Sequence, residues 1–501
     1  MSECFRVPGP PFDLRLSRWD MRMMPVYSQR CLCFPLPGAG RENVKKITDL
    51  LYKALEATVE ELPFLAGYVK PLSKEQSWLR NLYPGGAAYL EVHDLTREID
   101  YLNLRQGRFA SSLLDSEKLC PFPKSAYVQE DPIDVCRLRA NFVAGGLILV
   151  LSIIHTACDG RGITDVLTVF ADKLRQIDSG ELTYDASTKP GENTHTGQTY
   201  SFDRSALLSG NGIPGSIENH LGWTATPRAS HASTKFVSAT NVCANFLINR
   251  DTMQALKFAA FPPKARPLNS RRAPDGYSAH SQLFDHIVGI STHDAVTALL
   301  WRSIMRARQG AGILARDAIV HFSTAVDCRT RLGLPKPYYG NTIYGVRTAL
   351  SLDMLVPVHE EDTENEYKAL GSLHDAATAI RTAITDATGP RFRDLLGFVE
   401  RTDTTMLTRL AGVDDLSVGS VFVISYFGFE MHTLDFGRTL GGDNGHIEAF
   451  RLPSRGIAAG VPIVLPRLPD GSCELVINER EDVMALLLAD PIFMRFASQQ
   501  K

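Results

Sequence analysis

Hydrophobic positions along the chain switch between two periods, and the switches locate the elements. Val44, Ile47, Leu51, Leu55, Thr58 and Leu62 recur at steps of three and four residues. That spacing puts them on one face of a helix from about Glu42 to Leu62, ended by Pro63, which biases its predecessor out of the helical region. Leu65 to Val69 has the character of a strand entry. Cys136–Val143 alternates, Ala144-Gly145-Gly146 can turn, and Leu147–Ile154 is a continuous apolar run. They predict a hairpin whose second strand is buried on both faces. Ile163, Val166, Leu167, Phe170 and Leu174 restore helical spacing up to Ile177, and His293–Arg308 predicts a further helix. Strands alternating with helices place the chain in the mixed α/β class.

From Gly180 to about Lys235 this periodicity gives way to Gly, Ser, Thr, Asn, Pro and His, the composition of a crossover between domains. Phe261–Ser281 reads as a second loop, and the acidic run His359–Tyr367 as a solvated stretch. No internal repeat with a fixed period is visible. The 501 residues exceed what one core holds, roughly 250–300, so two domains are expected. The balance of 53 Lys+Arg against 56 Asp+Glu argues against binding nucleic acid through a basic surface. Nine scattered cysteines without a Cys-x-x-Cys pair argue against a zinc ribbon and fit a reducing compartment. The opening MSECFRVPGPPFDL lacks the basic and apolar regions of a signal peptide. Leu147–Ile154 is far shorter than the about 20 residues that span a bilayer. The expectation is a soluble, cytoplasmic protein that does not engage a membrane.

The segment richest in chemistry is Ile154-His155-Thr156-Ala157-Cys158-Asp159-Gly160. Among 13 histidines about one His-x-x-x-Asp pair is expected by chance, so the spacing alone is weak. Its setting is stronger: His155 follows a buried strand, and Asp159-Gly160 opens a turn into a helix. A titratable ring at a strand end suits site chemistry, and a satisfied structural histidine is the plain alternative. Cys158 is either a nucleophile or, as we favour, a small apolar filler. Ser291 and Thr292 precede a helix, where hydroxyls either meet an anion or serve as an ordinary N-cap.

His155-x-x-x-Asp159-Gly160 resembles the HxxxDG signature of the BAHD acyl-CoA-dependent acyltransferases. Four further stretches are similar to that family's, in order. They are Leu62-Pro63-Phe64-Leu65-Ala66-Gly67-Tyr68, Ser291–Arg302, Val326-Asp327-Cys328-Arg329-Thr330-Arg331 with Tyr339-Gly340-Asn341, and Asp435-Phe436-Gly437. The flavour is that of the fungal branch typified by trichothecene 3-O-acetyltransferases. Two departures stand out. Arg438-Thr439 replaces the Trp-Gly of the DFGWG loop, and Val423-Ile424-Ser425-Tyr426 stands where many relatives carry V-T-S-W.

The resemblance implies two chloramphenicol-acetyltransferase-like domains, each a mixed β-sheet flanked by helices, with the site in a channel between them. Their bounds would be residues 1–220 and 221–501, with about 437–462 packing on the first. It implies an O-acyltransferase, here an acetyltransferase, moving acetyl from acetyl-CoA to a hydroxyl of a fungal terpenoid, polyketide or alkaloid. His155 would be the general base. Asp159 would either orient it or be turned away onto Arg329. Ser291 and Thr292 would meet CoA, Asn341 would either line its channel or simply fix a turn, and Lys264, Arg266, Arg271 and Arg272 would either screen its phosphates or form a solvated loop. Ser425 and Tyr426 would line the acceptor side. Gly160, Arg329, Asp435, Phe436 and Gly437 would be structural; His432 and His446, which flank the last three of these, read as structural or surface groups. Acyl-CoA enters as co-substrate; no metal or bound cofactor is implied, and the expected state is a monomer. An N-acyltransferase, a condensation- or cyclisation-type enzyme, or a binding protein without CoA use are the alternatives.

Overall fold

The computed structural model describes residues 2–36, 41–122, 131–182, 200–227, 241–261, 289–357, 371–402, 406–441, 444–453 and 458–500. Its backbone is organised by two mixed sheets. The first has six strands in the order Ser2–Val7, Ala88–Asp94, Cys136–Val143, Gly146–Ile154, Tyr27–Pro35 and Ala449–Arg451. The second has seven: Ile343–Ser351, Ile319–Asp327, Ser420–Ser425, Ile463–Val464, Cys473–Arg480, Asn241–Ile248 and Ser498–Gln500. Each sheet combines antiparallel pairs with parallel ones.

The expected hairpin is present, and all nine residues of Gly146–Ile154 are buried. The physical reason is a layer on each side. Leu149 and Leu151 pack with Leu51, Leu55, Val166 and Phe170 from the helices Arg41–Glu61 and Gly160–Ser179. Ile148 and Val150 pack on the opposite face with Tyr101, Leu104 and Leu119. The first helix ends before Pro63, which begins a short 3-10 turn, Pro63–Ala66. In the second core, the helix Thr292–Gly310 presents Val296, Leu299, Leu300 and Ile304 to Phe322, Val421 and Leu475 of its sheet.

The crossover holds more structure than its composition suggests. Tyr200–Asp203 runs parallel to Phe12–Arg15, and Trp223–Pro227 pairs antiparallel with Met406–Leu410. Such two-stranded ribbons are too short to show a period. Late in the chain, Ala449–Arg451 adds to the edge of the first sheet beside Cys31–Cys33, and Ile463–Val464 returns to the second. Lys264, Arg266, Arg271, Arg272 and the acidic run at 359–367 lie outside the described residues. Among those described, no helix is long and apolar enough to cross a membrane.

Candidate active site

The site is built where a buried strand stops. Ile154 is the last residue paired to Tyr27, and the His155 N–H donates to the Val26 carbonyl at 2.8 Å. The chain then turns, and Asp159 caps the helix Gly160–Ser179 by accepting from Gly162 N–H at 2.9 Å. A charged capping side chain suits a helix N-terminus, where unpaired N–H groups concentrate positive potential. Gly162 is required there, since a Cβ would strike the Tyr339 carbonyl. The His155 ring is half-buried and its Nδ1 is fully enclosed, which leaves Nε2 to meet a ligand. Burial pulls this histidine below the ordinary imidazole range. The Asp159 charge, its own backbone and Asn341 oppose that pull, and the Arg30 cation reinforces it. The ring is therefore neutral, and basic, at neutral pH.

Asp159 does not reach for that ring. Its Oδ1 accepts from Arg329 Nη2 at 2.7 Å, and its Oδ2 from Arg329 Nη1 and Thr342 N–H, both at 3.0 Å. Burial alone would raise its pKa, but the Arg329 cation and these donors outweigh it and hold the carboxyl below its usual range. Arg329 also donates to the carbonyls of Tyr338 and Gly340 at 2.8 and 2.6 Å. The pair ties the HxxxDG turn to the strand-end loop of the second sheet. Of the two roles open to Asp159, the geometry matches the one turned away onto Arg329.

Of the two places open to Asn341, the geometry matches the one that fixes a turn. Asn341 is fully buried. Its Nδ2 donates to the His155 carbonyl at 3.0 Å and to Asp20 Oδ1 at 2.9 Å, and its backbone N–H donates to Asp20 at 2.8 Å. Asp20 also accepts from Ser17 Oγ at 2.7 Å and lies 3.6 Å from Arg204, which donates to the Ala157 carbonyl at 2.8 Å. Asn341, Arg204 and Arg329 thus grip successive points of the turn. Sequence reasoning missed Asp20 and Arg204. Ser17-x-x-Asp20 is a capping-box signature that could have marked the first; nothing local marks the second.

Ser291 is likewise committed. Its hydroxyl caps the helix Thr292–Gly310 in a capping box with Asp294 and accepts from Arg381 at 2.6 Å. Arg381 pairs with Asp294 as well. The ordinary N-cap accounts for the bonds it accepts; Thr292 follows, half-buried. Tyr426 is buried beneath the Arg30 guanidinium, 4.7 Å from its ring centre, and Gly160 faces Tyr426 and Phe429. Ser425 is half-buried, and its Oγ accepts from Phe427 N–H at 3.3 Å. Cys158 is fully buried and burial pushes its thiol up to about 12, so the filler reading holds and a thiolate is disfavoured.

The Asp435-Phe436-Gly437 loop packs away from His155. Phe436 sits edge-on to Phe34, with ring centres 5.1 Å apart. Asp435 accepts from Gly437 N–H at 2.9 Å, and Gly437 has φ +79°, which favours glycine. Thr439 N–H bonds Asp178 at the end of the site helix. Burial lowers His432 to about 4, and His446 bonds the Leu434 carbonyl at 2.9 Å. A cavity of about 850 Å³ opens among Phe427, Phe429, His432, Glu448 and Arg467.

Residues 26–173 match the trichothecene 3-O-acetyltransferase-like N-terminal domain, and residues 231–438 match the transferase family. The enoyl-CoA isomerase/hydratase claC of Penicillium crustosum is 41% identical over 99% of this chain, which spans about half, 52%, of that protein's length. An eremophilane O-acetyltransferase of Penicillium roqueforti is 24% identical, covering 97% of this chain and 98% of its own. Crystalline TRI101 of F. graminearum, complexed with coenzyme A and T-2 mycotoxin, superposes with a TM-score of 0.73 at 20% identity. That match covers 98% of this chain and 100% of TRI101.

Proposed function

We propose that this chain, which belongs to the BAHD acyltransferase family in its trichothecene 3-O-acetyltransferase-like branch, is an acyl-CoA-dependent O-acyltransferase. The observation that carries the reading is His155. It is a neutral imidazole at the end of a first-sheet strand, on a turn gripped by Asn341 and Arg329 beside the second sheet and by Arg204 of the crossover. In the reaction Nε2 accepts the proton of an acceptor hydroxyl as its oxygen attacks the thioester carbonyl. The tetrahedral intermediate expels CoA thiolate, which takes the proton back from the imidazolium. Such general-base assistance is worth roughly 10²–10⁴-fold. The thioester is already activated, so an acyl-enzyme is unnecessary, in keeping with the buried, protonated Cys158.

Asp159 and Arg329 act by holding the turn, and Asn341 by fixing the His155 backbone. Tyr426 and Ser425 stand on the acceptor side, and Thr292 near the CoA path. Acetyl is the expected acyl group and a hydroxylated secondary metabolite the expected acceptor. Support comes from the name of the full-length Penicillium roqueforti relative and from the coenzyme A and mycotoxin in the TRI101 crystal. We divide the chain at about residue 220, with 437–462 packing on the first part. Its working state is a soluble cytoplasmic monomer.

The test is mass spectrometry of reactions containing acetyl-CoA and a panel of hydroxylated terpenoids, polyketides and alkaloids. The reading expects an acetyl ester, formed with one CoA released. An amide product would shift it to N-acylation. Hydration of an enoyl-CoA, with no ester, would favour the activity named for the longer Penicillium crustosum relative.

A further inference from the structure

Six arginines are buried among the described residues, and five of them face a buried carboxylate. Arg204 has Asp20, Arg302 has Asp490, Arg308 has Glu479, Arg329 has Asp159 and Arg451 has Glu474. Arg30 is the exception. It is 4% exposed, yet makes no ion pair among the described residues. Among the described residues its guanidinium makes one hydrogen bond, from Nη1 to the Gln29 carbonyl at 3.0 Å. The Tyr426 ring beneath it supplies a quadrupole, not a counter-charge. Burying an unpaired cation is costly, and a chain that pairs every comparable arginine has a use for leaving this one open.

Its position says what the use is. Arg30 Nη2 lies 3.9 Å from where a side chain on Gly160 would begin, so the missing side chain leaves the guanidinium beside the HxxxDG turn. The helix Gly160–Ser179 starts there, adding its own positive potential. Arg30 is near enough for its charge to act on the His155 ring. Phe429, which faces Gly160 and packs on Tyr426, is also one wall of the 850 Å³ cavity, so only that ring and Tyr426 stand between the cavity and the turn.

We propose that Arg30 is a specificity-determining residue whose missing counter-ion is a carboxylate brought by a substrate, held beside the atoms that react at His155. The inference rests on the acyl-transfer reading of that site and narrows its substrate class. The carboxylate has two possible carriers. A dicarboxylic acyl group would bring it on the donor, and an acid-bearing alcohol or phenol would bring it on the acceptor. Guanidinium and carboxylate match as two parallel N–H···O bonds, which acetyl and a plain alcohol cannot make.

Calorimetry on the whole protein separates the carriers. In the donor arm, malonyl-CoA is compared with acetyl-CoA. In the acceptor arm, 4-hydroxybenzoate is compared with 4-hydroxybenzyl alcohol in the presence of CoA. We expect the carboxylate probe to bind about tenfold tighter or better in one arm, as for a charge-assisted bond. Arg30→Met should erase that ratio and Arg30→Lys keep part of it. Equal binding of both probes in both arms of the wild-type protein overturns the proposal, whether or not the variants fold. So does a ratio that survives Arg30→Met. Absence of any CoA-thioester binding would instead count against the acyl-transfer reading, and the acceptor arm would still report on Arg30.

Discussion

At the scale of the residue, the chemistry depends on keeping one imidazole neutral. Desolvation of His155 disfavours the charged ring, and the Arg30 cation works in the same direction. The base form is the active form, so kcat/KM should rise with pH as the ring loses its proton and be flat through neutrality. The midpoint of that rise should lie below the ordinary value of about 6.5. A pH–rate profile checks it; a midpoint above 6.5 would contradict it. In Arg30→Met the midpoint should move up, because a cation that opposed protonation is gone. His155→Ala should lower kcat by roughly 10²–10⁴-fold with a nearly unchanged melting curve, since Asn341 and Arg204 hold the turn through its backbone carbonyls. Cys158→Ala should retain turnover; an isolated acyl-cysteine would overturn the mechanism.

At the scale of the element, the turn between the strand Gly146–Ile154 and the helix Gly160–Ser179 is held rather than merely formed. Asp159 is at once a helix cap and the partner of Arg329, both inside the protein. Arg329→Met would strand the carboxylate and should cost about 3–5 kcal/mol, read as a clear fall in melting temperature. If Arg329→Met melts like the wild type, the ion pair is not what holds the turn. The Asp159 carboxyl is held below its unfolded pKa, so its contribution is full above about pH 4 and is lost as pH falls through the folded value. Gly162→Ala should also destabilise, by about 1–3 kcal/mol, because its Cβ meets backbone that cannot move aside. The sequence announced this element well: the apolar run, the His-x-x-x-Asp spacing and the following helical period are all local. It could not announce the grip. Asp20, Arg204 and Asn341 converge from positions more than a hundred residues apart, and each alone looks like an ordinary polar residue. Ser291 stayed open for the converse reason. A capping hydroxyl and an anion-binding hydroxyl have the same sequence, and the capping role shows only once Arg381 and Asp294 are in place beside it.

At the scale of the whole molecule, the two sheets are tied by strands and ion pairs that cross between them. The strand Ala449–Arg451 leaves the second half of the chain to extend the first sheet. Its Arg451 donates to Glu474 in the second sheet through two bonds of 2.7 and 2.8 Å, both partners buried. Composition located the change of character after Gly180, but a three-residue strand added from far along the chain carries no periodic signal. The same long-range ties place Asn341 and Arg329, from the second half, against a turn made by the first. The site exists only in the joined molecule, so its activity reports on the whole. The most direct measurement is steady-state CoA thiol release from acetyl-CoA with a productive acceptor, comparing wild type with His155→Ala at neutral pH. The account predicts release matched one-to-one by ester in the wild type, and a loss of at least about a hundredfold in the variant. Equal rates in the two proteins, or wild-type release without ester, would contradict it.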